Sequence, residues 1–153
     1  QFYGVDIDEN TIILNKMSIH NAHWLNSDFI TQMKVAQKEG WFNPSLINAD
    51  LLSLPNRGTQ KIAEIMSFIT DCNINEVLLV GNIMLNNPHA KIQISETEAH
   101  RRAMLIPLLL SKQTAFKYAW NSKQWENYPQ CYIYKGSGRR SNTYLATYIF
   151  VKK

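Results

Sequence analysis

Three stretches of this 153-residue chain set carboxylates and amides just where apolar runs give out. "YGVDID" delivers Asp6 and Asp8, "INADLLSLP" delivers Asp50, and "VGNIMLNNPH" delivers Asn82, Asn86, Asn87, Pro88 and His89. In an open parallel sheet, ligands bind beyond the carboxyl ends of the strands. A carboxylate just past a buried strand suits a ribose, because it can accept from both hydroxyls. Asp6 is the better candidate, since Asp8 can cap the helix that follows. Asp50 ends the next run in the same way and could accept from the exocyclic amine of a base. Gly4 and Gly81 would let a backbone or a ligand approach closely. A different chemistry for the same acids is a metal-dependent nuclease or phosphotransferase. There Asp6 and Asp8 would hold Mg²⁺ with a third acid, Asp50 or Glu98.

Other reactive residues are less organised. His20 and His23 stand three apart in a stretch of helical spacing, a geometry open to metal ligation, but neither cysteine nor a third ligand accompanies them. The chain has no Gly-x-Ser-x-Gly, phosphate-loop or zinc-spacing signature. "KGSGRRSN" reads as a turn bearing Lys135, Arg139 and Arg140. With Arg101, Arg102, Lys152 and Lys153 it offers cations to phosphates. Trp120, Trp125, Tyr128 and Tyr132 offer faces on which bases could stack, or core aromatics.

The elements that must position these groups follow from periodicity. "FYGVDI" reads as a short strand apolar on both faces. The spacing of Ile13, Met17, His20 and Trp24 predicts one helix running to Trp24. A second helix is expected over residues 28–39, closed by Gly40. "PSLINADLLSLP" is a second strand. Ile62, Ile65, Met66 and Ile69 mark an amphipathic helix with Thr59 as its cap. "EVLLVGNIML" is the third strand. Ser95 and Glu98 form a capping box for a helix that Pro107 should kink or divide. The chain ends in two strands joined by a Gly, Ser and Arg turn. Strands alternating with helices predict an α/β layered fold, mostly parallel, with an antiparallel hairpin at its edge.

The bulk composition fits this reading. The hydrophobic content of 45% and charged content of 18% suit one globular domain of 153 residues. The net charge of +4 leans toward an anionic partner such as nucleic acid. The longest apolar run, "AMLIPLLL", is far short of the ~20 residues of a membrane span. Cys72 and Cys131 lack metal spacing and read as reduced residues of a cytoplasmic protein.

"YGVDIDENTIIL" resembles the second-strand motif of class I S-adenosylmethionine-dependent methyltransferases, whose strand ends in a ribose-binding acid before a helix. "INADLLSLP" is similar to that family's next motif, where an Asp contacts the adenine amine. "LLVGNIMLNNPH" stands in the place of the fourth motif, beside the methyl donor, and the closing hairpin resembles the antiparallel pair of that sheet. The resemblance implies a Rossmann-like fold and S-adenosylmethionine as cofactor. It assigns Gly4, Asp6, Asp50 and Leu51 to cofactor binding and Asn82, Asn87 and Pro88 to catalysis. It also implies a Gly-rich first strand before Gln1, so upstream sequence is expected. The spacing from Asp6 to Asp50 requires an inserted helix near residues 28–39. Without the Gly-rich loop, the same fold would serve as a noncatalytic binding or scaffold domain.

Overall fold

The computed structural model describes residues 2–51, 55–87, 90, 92–112, 125–127, 132–137 and 142–152. Among these, the chain is a mixed α/β protein with four helices and two sheets. Its contacts gather into two compact units, residues 1–43 and 44–153.

The first unit is β1 (Phe2–Asp6), α1 (Glu9–Ser18), β2 (Ala22–Asn26) and α2 (Phe29–Lys38). Asp8 caps α1, its carboxylate accepting from Asn10 N–H and Thr11 Oγ1, both at 3.0 Å. Asp28 caps α2, accepting from Thr31 N–H at 2.9 Å. Gly40 ends that helix in the left-handed region at φ 79°, as a residue just past a helix should.

The helix expected to reach Trp24 stops at Ser18, and β2 takes its place in parallel register with β1. Ile13, Met17, His20 and Trp24 keep helical spacing by coincidence across this break. Ile12 is the buried residue of α1, while Ile13 is 49% exposed and Met17 70%. Parallel pairing puts Trp24 opposite Gly4, and the indole N–H donates to Ile19 O at 3.3 Å. Propensity lost here to a non-local pairing.

The second unit is β3 (Leu46–Asp50), α3 (Pro55–Asp71), β4 (Val77–Met84), α4 (Glu96–Lys112), β5 (Trp125–Asn127), β6 (Tyr132–Ser137) and β7 (Asn142–Lys152). β3 and β4 are parallel, whereas β7 is antiparallel to β4, β5 and β6. The sheet is therefore mixed rather than mostly parallel. One edge of β7 pairs with β4, and the other is shared by β6 at Asn142–Thr147 and β5 at Phe150–Lys152.

Alternation decides the core. Val77, Leu79 and Ile83 of β4, and Ala146, Tyr148 and Phe150 of β7, are buried. Ile62, Ile65, Met66 and Ile69 of α3 are buried as the 3.6-residue period predicts. Burying each such side chain is worth about 1.5–3 kcal/mol. Tyr148 Oη donates to Ala103 O at 2.7 Å, which ties β7 to α4. Gly81 leaves room for α3, because a Cβ there would lie 2.5 Å from Ile62 Cδ1.

Three local expectations change. α3 begins at Pro55, a residue suited to the first helical position, so Thr59 lies inside the helix and is buried rather than capping it. α4 runs through Pro107 as one helix. Ser95 caps α4 through Glu98 N–H at 3.1 Å, but the Glu98 carboxylate turns to Arg101 and Arg102.

Candidate functional site

The carboxyl end of β1 is built by two turns. Asp6 Oδ1 accepts from Asp8 N–H at 2.8 Å, which aims the chain into α1. Asp6 O accepts from Ser27 N–H at 2.9 Å, and Asn26 Nδ2 donates to Ile7 O at 3.1 Å. Asp6 and Asn26 are register partners. One end of this small parallel sheet thus collects Asp6, Asn26 and the capping residues Asp8 and Asp28. Asp6 Oδ2 has no partner among the described residues. It is the oxygen that a ribose hydroxyl could use.

A Cβ on Gly4 would stand 2.1 Å from Trp24 Cζ3, so the glycine makes room for the indole. Asn26 and Asp28 were not among the expected site residues. Their signal is "NSDF", in which an Asp three residues before Thr31 is a helix-start pattern.

Asp50 and Asn82 are register partners at the carboxyl end of the β3–β4 pair. Leu51 N–H donates to Asn82 O at 3.4 Å, continuing the ladder past the strand. Desolvation raises the Asp50 carboxyl above its ordinary value. Asn82 Oδ1 accepts from Thr147 Oγ1 at 2.6 Å, which fixes its amide across the β4–β7 pair. Asn86 is buried and accepts from Tyr144 N–H at 2.8 Å. Asn87 is exposed, and its carbonyl accepts from Ala90 N–H at 3.1 Å. Pro88 and His89 lie outside the described residues. Asp6 and Asp50 belong to different compact units.

The cationic patch is smaller than its sequence suggests. Lys135 is exposed, with its ammonium 5.9 Å from the Tyr144 ring centroid. Arg101 and Arg102 both pair with Glu98, at 2.7 and 2.9 Å. These bonds pull the Glu98 carboxyl down to about 2 and push the Arg101 guanidinium up. Lys152 is buried, donating to Ile74 O and to Asn75 Oδ1, and burial lowers its pKa. Arg139, Arg140 and Lys153 lie outside the described residues. Trp125 is 2% exposed and donates to Thr70 Oγ1 at 3.1 Å, so it is core rather than a stacking face. Trp120 and Tyr128 are outside the described residues.

The histidines do not share a helix. His20 lies in the turn after α1, and His23 is on β2, stacked on Tyr3 with ring centroids 5.1 Å apart. Tyr3 also stacks on Trp41 at 4.6 Å. Among the described residues, no group of three or more His, Cys, Asp or Glu side chains is placed to hold a metal ion. Burial and the neighbouring Asp71 raise the Cys72 thiol. Cys131 is outside the described residues. No helix among the described residues is long and apolar enough to cross a membrane.

No protein-family profile matches the chain, and no curated protein matches it. Among solved structures it is similar to a possible exported protein from Bordetella parapertussis. That similarity has a TM-score of 0.41 at 10% identity, over 97% of this chain and 53% of the other. The chain therefore spans about half the length of that protein.

Proposed function

We propose that the chain is a Rossmann-like methyltransferase domain of the class I, S-adenosylmethionine-dependent kind, acting on nucleic acid. The observation that carries this reading is the strand-end pattern. Two parallel pairs, β1–β2 and β3–β4, end in carboxylates and amides, and β7 and β6 supply the antiparallel strands beyond β4. The resemblance also calls for a Gly-rich strand beside the ribose acid. Among the described residues, β1 pairs with β2 alone.

The strand β2 accounts for the long spacing between Asp6 and Asp50, because a whole strand–helix unit intervenes. Asp28, the acid after β2, is taken up in capping α2, so the adenine contact stays with Asp50, beside Leu51, as the resemblance assigns it. The segment from Asn82 to Asn87 faces the acceptor.

S-adenosylmethionine supplies an electrophilic methyl group on a sulfonium centre. The chain supplies positioning. Asp6 Oδ2 accepts from a ribose hydroxyl. Asp50 accepts from the adenine amine, while the bond from Thr147 holds the Asn82 amide still. Lys135 meets the acceptor's phosphates, with Arg139 and Arg140 assigned to the same role on their sequence alone.

The test is calorimetric titration of the full-length protein with S-adenosylhomocysteine. Asp6→Asn and Asp50→Asn should each weaken binding by roughly tenfold, the worth of one charge-assisted hydrogen bond. Asp28→Asn should leave that affinity within about twofold, since Asn caps a helix about as well as Asp. No measurable binding by the full-length protein would sink the proposal. A noncatalytic scaffold of the same fold is the second reading. It draws on Gly4 and Gly81, which make room for Trp24 and Ile62.

A further inference from the structure

We infer that Arg102, held by Glu98, is a positioning residue that clamps the chain just past β4, Leu85–Asn87, which the proposed function turns toward the acceptor. The inference rests on the proposed function for its purpose but not for its geometry. Arg102 Nη1 donates to Leu85 O at 2.9 Å, one residue past the end of β4. Its Nε donates to Glu98 Oε1 at 2.9 Å. Glu98 is itself fixed by Arg101 through two bonds, at 2.7 and 2.9 Å. The N-terminus of α4 is thereby bolted to the chain leaving the sheet.

The segment is fastened from its other side as well. Leu85 N–H donates to Tyr144 O, and Tyr144 N–H donates to Asn86 Oδ1, both at 2.8 Å. Asn86 Nδ2 donates to Gln93 Oε1 at 3.2 Å, and Gln93 Nε2 donates to Ala90 O at 2.7 Å. Leu85 and Asn86 are both buried. Removing the guanidinium leaves the Leu85 carbonyl without this donor in a place water reaches poorly, which is costly. Exposed Asn87 is presented between these fixed points. A loop held this way delivers its groups to a substrate in one geometry, at little ordering cost on binding.

Arg101 provides an internal control. It shares Glu98 with Arg102, but among the described residues its bonds go to Glu98 alone. The experiment is amide exchange on the full-length protein and on Arg102→Gln, Arg102→Lys and Arg101→Gln. Exchange of the Ile62–Ile69 amides in α3 checks that each variant is folded. Arg102→Gln should speed exchange at Ala90 and Tyr144 by roughly tenfold, the loss of one charge-assisted hydrogen bond. Arg101→Gln should change it by less than about threefold, as expected for an exposed pair. Arg102→Lys keeps the charge but not the fork and should fall between the two. Equal effects of the two glutamine variants, or no effect of either, would overturn the clamp. If the protein transfers methyl groups, Arg102→Gln should raise the acceptor KM or lower kcat while leaving S-adenosylhomocysteine affinity unchanged. A loss of that affinity would overturn the assignment to the acceptor side. If the protein binds no S-adenosylhomocysteine at all, the function fails, and the exchange data still decide the clamp.

Discussion

Gly4→Ala separates a packing glycine from a ligand-facing one. The added Cβ would meet three atoms of the Trp24 ring, at 2.1, 2.2 and 2.8 Å. An indole is rigid, so it cannot yield by moving one flexible end. The whole ring must shift by more than 1 Å to restore contact at about 3.5–4.0 Å. That shift strains the indole N–H bond to Ile19 O, already 3.3 Å long, and the edge contact with Phe2 at 6.3 Å between centroids. Overpacking costs about 1–3 kcal/mol, and a lost hydrogen bond adds about 1 kcal/mol. The expected destabilisation is therefore about 3 kcal/mol.

For a chain of this size that corresponds to a fall in Tm of roughly 6–12 °C. Thermal unfolding and urea denaturation of the full-length protein would measure it. The decisive step is a double-mutant cycle with Trp24→Leu, which removes the ring. In that background Gly4→Ala should cost less than about 1 kcal/mol, a coupling within the range found for residues in contact. Equal costs in the two backgrounds would refute the packing argument. Gly4 would then return to the candidate ligand contacts.

Three further outcomes follow from the same bonds. The Glu98 carboxyl sits at about 2, below its ordinary 4.5, so its contribution is complete above that ordinary value and disappears as pH falls toward 2. The Tm difference between the protein and Glu98→Gln, measured by calorimetry at several pH values, should shrink in that interval. Burial lowers the Lys152 pKa, so between its folded value and its unfolded value near 10.5 the unfolded chain binds more protons and stability rises with pH. Lys152→Met should abolish that rise in denaturation series taken on the alkaline side, while leaving Ile74 O and Asn75 without their donor. Trp125→Phe keeps most of the buried ring but drops the bond to Thr70, and urea denaturation should show a loss of about 1 kcal/mol.

Local signals in the sequence are legible, and non-local ones are not. Asp8 and Ser95 announce helix starts because a cap needs only a side-chain oxygen and the next few N–H groups. The apolar face of α3 is legible for the same reason: its period lies within a single helix. β2 escaped because "AHWLN" continues the helical spacing of α1, and only pairing with β1 makes it a strand. β5 is three residues long and owes its existence to β7. Lys152, Arg101 and Arg102 looked like free cations because their partners cannot be read from the net charge. Arg101 and Arg102 spend theirs on Glu98, three and four residues away, and Lys152 on a turn 77 and 78 residues away. Gly4 and Gly81 are similar: what comes close to them is Trp24 and Ile62. A glycine says that something comes close, and the fold alone says what.

The same distinction bears on the pair that first suggested a metal. Asp6 and Asp8 stand two residues apart, but their surroundings make unequal demands. Asp8 commits Oδ1 to Asn10 N–H and Oδ2 to Thr11, closing the first turn of α1. Turning it toward a cation would uncap that helix, a cost of about 1 kcal/mol. Asp6 commits only Oδ1, to Asp8 N–H, and that bond directs the chain into the helix. A divalent ion bound by both would need them to converge, whereas the turn assigns one to a helix and leaves the other an oxygen to spare. A neutral hydroxyl asks for only that one oxygen. The inequality of the two acids therefore favours a hydroxylic ligand at Asp6 over a metal shared by the pair.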